Sequence, residues 1–131
     1  MLKSFTVKSF TENQAVVDPI IRDKQNWHAY TSPMKRCLLT TKALSTTGIP
    51  ITVKGNMFES GGCYKYDDHG KAHAYPGMTG TEIEEQFKGY TCDETIPRHK
   101  GWYIKTEKET WDEFEARSLL LSEWLWSLME Q

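Results

Sequence analysis

Cysteine is scarce in this chain and never clustered: Cys37, Cys63 and Cys92 are the three among 131 residues. An odd, scattered set cannot supply the dense, even framework that staples small secreted domains, so reduced thiols and a cytoplasmic setting are expected. No Cys-x2-Cys pair occurs, which removes the usual close ligand pair of a structural zinc site. No apolar run approaches the roughly 20 residues that cross a bilayer. The opening Met1-Leu2-Lys3-Ser4-Phe5 also lacks the apolar stretch of a secretory leader. Internal repeats and low-complexity linkers are missing, so solenoids and multi-domain arrays are not expected. The glycine-bearing stretches Gly61-Gly62 and Gly77-Met78-Thr79-Gly80 match neither a Walker loop nor the dinucleotide glycine pattern.

What is present suits one compact domain spanning 1–131. Aromatics make up 12% of the chain, with five tryptophans, a load that disordered segments lack. A chain of this length buries roughly two-thirds of its unfolded surface, enough to fold without staples. The formal net charge is only −2, yet it is polarised. Residues 1–54 carry eight basic and three acidic groups, whereas 107–131 carry two basic and seven acidic. Such polarity steers partners at long range and does not specify a fold.

The local pattern predicts an α+β fold. A small, mostly antiparallel sheet with a β-hairpin is packed by a long C-terminal amphipathic helix and one or two N-terminal helices. Alternation over Leu2 to Phe10 predicts a first strand. Asp18-Pro19 opens a helix to about Thr31 that turns Ile20, Ile21, Trp27 and Tyr30 to the core. Ser32-Pro33 repeats that start signal and Gly48 is a stop, but the threonines within 33–47 suit helix and strand equally. Ile49 to Lys54 is a strand in which Pro50 marks an edge or a start. Gly62 to Tyr75 forms a hairpin around Asp67-Asp68-His69-Gly70. Thr81 to Glu84 has capping-box spacing for a short helix closed by Gly89, and Gly101 to Lys105 is the expected last strand. Thr110 to Glu113 is a second capping box. It opens a helix from Trp111 to about Glu130 whose stripe of Trp111, Phe114, Ser118, Leu121, Leu125 and Leu128 faces the core.

Three constellations bear on chemistry. Cys63, His69 and His73, with Cys92 and His99 further on, are ligand-type residues, but their spacings are Cys-x5-His-x3-His and Cys-x6-His. No metal or other cofactor is therefore assigned. A Cys63 nucleophile activated by His73 depends on hairpin register. Pairing Tyr66 with Lys71 separates the two residues onto opposite faces, and a slip of one residue makes them diagonal neighbours. No third group orients the imidazole, so no catalytic residue is assigned. Basic residues Lys35, Arg36, Lys42 and Lys54 near Trp27, His28 and Tyr30 permit nucleic-acid binding, which the acidic balance of the whole chain disfavours.

On the C-terminal helix, Leu119 and Trp126 lie about 150° from Leu121 and align with each other on the acidic face that holds Glu123. A tryptophan aligned with a leucine there is a contact anchor for a protein partner or a second copy. The expected function is that of a small non-enzymatic binding protein, a regulator or inhibitor working by protein–protein contact through Trp126, Leu119 and Glu123. A phage or mobile-element accessory role is the matching context. The alternatives are an enzyme or metal protein centred on the Cys63/His69/His73 hairpin, or a nucleic-acid binder using the basic N-terminal third.

Overall fold

A computed structural model describes residues 26–130 of the chain. The expected strand 2–10 and most of the helix expected from Asp18 fall outside the described residues. In chain order the elements are β1 (Ala29–Thr31), α1 (Lys35–Thr41), a 3₁₀ turn (Lys42–Leu44), β2 (Ile51–Val53), β3 (Tyr64–Tyr66), β4 (Ala72–Ala74), α2 (Gly80–Gln86), β5 (Tyr90–Cys92) and α3 (Trp111–Met129). The fold is mixed α+β with a C-terminal helix.

The expectation of a mostly antiparallel sheet is overturned. β1, β2 and β5 form a three-stranded sheet in that order, and both of its ladders are parallel. Antiparallel pairing occurs in the separate hairpin of β3 and β4. The cause is connection length. A short turn returns the chain antiparallel, whereas α1 and the 3₁₀ turn carry it back to the starting end before β2 begins. β2 is the central strand, so Pro50 marks a strand start and not an edge.

Three local expectations change with it. The helix reaching Thr31 gives way to β1, where Ala29 N donates to Pro50 O at 2.9 Å and Thr31 O accepts from Lys54 N at 2.9 Å. These ladder bonds override the helical spacing of Trp27 and Tyr30, and Trp27 is exposed instead of buried. The cap of α2 is Thr79, whose Oγ1 accepts from Glu82 N at 3.1 Å, while Thr81 Oγ1 donates to Arg98 O at 2.8 Å. Residues 101–105 form no strand. Gly101 makes one isolated bridge to Thr79, and the Trp102 and Tyr103 amides donate to Met78 O and Pro76 O at 3.0 and 2.9 Å. β5, which follows the positive-φ Gly89, takes the third place in the sheet.

The ambiguous stretch 33–47 holds a helix, α1, and the 3₁₀ turn after it, and no strand. Its threonines fit because Thr40 and Thr41 donate their hydroxyls back to Arg36 O and Cys37 O at 2.9 and 2.8 Å, the standard way a helix absorbs them. α1 brings Leu38 into a core with Ile51, Val53, Ile83, Phe87, Tyr90, Ile96, Trp102 and Tyr103. Tyr90 ties strand to helix by donating its hydroxyl to Leu38 O at 2.7 Å.

α3 begins with the expected capping box, with both reciprocal bonds between Thr110 and Glu113 in place. Its inward side differs from the expected stripe. Phe114, Ser118, Leu121 and Leu128 are half-buried, but Trp111 and Leu125 are exposed, and Arg117 and Trp124 stand in their places. No residue of α3 is fully buried. Polar and aromatic contacts hold the helix: Arg117 reaches Glu109, and Trp124 meets the Tyr30 ring edge-on at 4.8 Å and the Lys54 ammonium at 4.3 Å. Among the described residues, no helix is long and apolar enough to cross a membrane.

Candidate functional site

The partner-binding residues expected on α3 all lie on its outer side. Trp126 is 63% exposed and Leu119 62%, and Glu123 is exposed as well. Trp126 does not float freely, because its Nε1 donates to Glu130 Oε1 at 3.0 Å. Leu120, Leu125 and Met129 are also exposed, so the apolar surface wraps further round the helix than the pair Leu119/Trp126. Every charged side chain of α3 except Arg117 is acidic: Asp112, Glu113, Glu115 and Glu123, with Glu130 following at the C-cap. Arg117 is turned inward and consumed by its own chain. The outer side is therefore apolar with a one-signed, negative border.

A second feature is a cleft of about 260 Å³ at the start of α1. Pro33, Met34, Cys63, Met78 and Trp102 line it together with Lys35 and Arg36. Arg36 pairs with Glu59, and both side chains are open to solvent. The sequence pattern marked Lys35 and Arg36 only as part of a basic third. Their meeting with Trp102, a residue distant in sequence, is decided by the tertiary fold.

The hairpin places Cys63 and His73 as the one-residue slip requires. Tyr66 pairs with Ala72 and Lys65 with His73, which puts Cys63 on the face of His73. No hydrogen bond joins the two among the described residues, and Asp67 supplies the third group beside the imidazole that the sequence did not show. His73 Nε2 lies 2.7 Å from Asp67 Oδ2, and that hydrogen bond lowers the Asp67 pKa more than any other contact. Burial pushes the Cys63 thiol above its ordinary value, against a smaller opposing pull from Lys65. Burial thus favours the neutral thiol at Cys63. His69 sits in the exposed turn, where its amide donates to Asp67 Oδ1 at 2.9 Å. Among the described residues, no three His, Cys, Asp or Glu side chains gather as metal ligands, so Cys63, His69, His73, Cys92 and His99 do not converge.

Cys92 is the most strongly perturbed thiol. Burial, aided by the Glu84 carboxylate, pushes it up to about 11. Its thiolate fraction at pH 8 should fall about 100-fold below that of an ordinary thiol, which ionises some two units lower. Timed alkylation with iodoacetamide, read by peptide mass spectrometry, should show Cys92 reacting at least about 30-fold more slowly in the native chain than in urea. Equal rates would mean that this thiol is open.

Two of the four described cations of the basic third are spent on internal pairs. Lys54 is buried, with its ammonium 3.2 Å from Asp93 Oδ2, and Arg36 faces Glu59. His28 stacks on Tyr30 with ring centroids 4.4 Å apart, and Tyr30 in turn meets Trp124 edge-on. Lys35 and Lys42 remain as exposed cations of this stretch without a salt bridge among the described residues.

Sequence reasoning missed the best-satisfied polar group in the structure. Arg117 Nε and one terminal nitrogen bind Glu109 Oε2 and Oε1 at 2.7 and 2.8 Å. The other terminal nitrogen donates to Asn56 O and Phe58 O at 3.0 and 2.9 Å, and the guanidinium lies 3.7 Å from the Phe58 ring centroid. The eight-residue spacing of Glu109 and Arg117 carried no helical signal, because Glu109 precedes the helix. Comparison of the chain with protein-family models, curated proteins and solved structures returned no match.

Proposed function

We propose that this chain acts by binding another protein through the outer side of α3, with Trp126 as anchor, Leu119 beside it and Glu123 at the border. The observation that carries this reading is a helix with exposed Leu119, Leu120, Leu125, Trp126 and Met129 and no fully buried residue. Exposed apolar surface of that extent, rimmed by charge, is the mark of a contact face. The acidic border selects a partner whose docking surface is apolar and basic. Within this proposal the chain is a regulator or inhibitor that covers its partner, and the three unbridged cysteines support a reducing, cytoplasmic setting.

The test is a pair of variants. Trp126→Ala should weaken the complex about thirtyfold, the hot-spot threshold of about 2 kcal/mol, and leave the melting temperature nearly unchanged. Glu123→Lys should slow association with the same basic partner. A large loss of stability in Trp126→Ala would instead show that this side of the helix is covered by its own chain, and the reading would fall.

A second reading rests on the α1 cleft. Its apolar lining and the cation Lys35, which has no salt bridge among the described residues, suit a small ligand with an apolar body and an anionic group. Lys35→Ala should abolish such binding and leave the α3 contact intact.

A further inference from the structure

A separate cavity of about 210 Å³ lies between the segment after Phe58 and the first turn of α3. Ser60, Tyr64, Lys108, Glu109, Trp111 and Phe114 are among the residues that line it. We infer that this cavity is a binding site for a small planar aromatic acid, whose ring stacks on Trp111 and whose carboxylate meets the Lys108 ammonium.

The walls are held in place before any ligand arrives. Trp111 is 65% exposed, yet its Nε1 donates to Glu115 Oε1 at 2.8 Å and its ring lies 5.1 Å from that of Phe114. An exposed indole with a fixed orientation is a stacking platform that loses little entropy on binding. Lys108 is the one cation among the lining residues. It donates to the Tyr66 hydroxyl at 2.9 Å and sits 4.5 Å from the Tyr64 ring centroid, and among the described residues it has no carboxylate partner. Gly61 keeps this wall closed: a side-chain carbon there would lie 2.5 Å from Tyr64 and 3.2 Å from the Lys108 stem.

The nearby carboxylates do not compete for Lys108. Glu109 is turned inward to Arg117, Glu113 pairs with Lys105 at 2.6 Å, and Glu115 accepts from Trp111. The capping box already occupies the Thr110 and Glu113 amides, so the positive charge offered to a ligand comes from Lys108 and not from the helix end. A single cation beside an aromatic platform selects one anionic group on a flat ring.

The probe is 2-naphthoate, titrated into the full chain and followed by calorimetry and Trp fluorescence. It should bind saturably, while uncharged 2-naphthylmethanol and non-planar cyclohexanecarboxylate each bind at least about tenfold more weakly. Trp111→Ala and Lys108→Met should each cost about tenfold or more, and Lys108→Arg, which keeps the charge, should retain most of the affinity. Trp126→Ala should leave naphthoate binding unchanged, which separates this site from the α3 contact. The inference is overturned by an absence of saturation up to about 10 mM. It is equally overturned by equal binding of the three probes, or by full affinity in Trp111→Ala or Lys108→Met.

Discussion

Replacing Arg117 with alanine should destabilise the protein by about 3–5 kcal/mol, the cost of stripping a buried charge of its counter-ion. The Glu109 side chain has no exposed surface and that of Arg117 is 12% exposed, so water cannot take over the lost contacts. The backbone oxygens of Asn56 and Phe58 would lose a donor at the same time, which adds to the deficit. Arg117→Lys should recover only part of the loss, because a point ammonium cannot bond two carboxylate oxygens and two carbonyls in one plane. The double variant Arg117→Met with Glu109→Leu should be much milder than Arg117→Ala alone, since no charge is left buried. Urea unfolding followed by circular dichroism reads all three. A shift below about 1 kcal/mol for Arg117→Ala would mean that the pair is solvated and that α3 is held by something else.

Gly62→Ala should cost about 2–5 kcal/mol, and Gly70→Ala supplies its internal control. Both glycines sit at φ of 78°, a conformation that costs an L-residue roughly 1–2 kcal/mol. They differ in space. A Cβ on Gly62 would lie 2.2 Å from the Tyr103 ring, in the core, whereas nothing stands within 4 Å of one on Gly70. Overpacking adds roughly 1–3 kcal/mol at the first site and nothing at the second. Gly70→Ala should therefore show the backbone cost alone. Equal unfolding midpoints for the two variants would show that Tyr103 yields freely.

Both effects lie in contacts that join distant stretches of chain, and the same division separates what could be read in advance from what could not. The capping box at Thr110, the helix after it and the hairpin around Asp67 were legible, because each depends on residues within a few positions of one another. The outward placement of Leu119, Glu123 and Trp126 followed from helical spacing alone, since residues three, four and seven apart share a face whatever packs beneath. The inward side was legible only in part. Arg117 faces in because Glu109, Asn56 O and Phe58 O wait for it, and those groups converge only after the chain has folded. Sheet direction was likewise hidden. Three-residue strands carry too little alternation to show whether they are buried on one face or two, and the missed β5 is three residues long. Parallel order came from the crossover through α1, a property of connection and not of composition. The candidate sites divide the same way. Local periodicity determined that a tryptophan would stand on the acidic side of the last helix. Only the tertiary structure decided that His73 would bond Asp67, that Arg36 and Trp102 would line one cleft, and that Lys108 and Trp111 would line another, because each of those meetings depends on where separate loops close on one another.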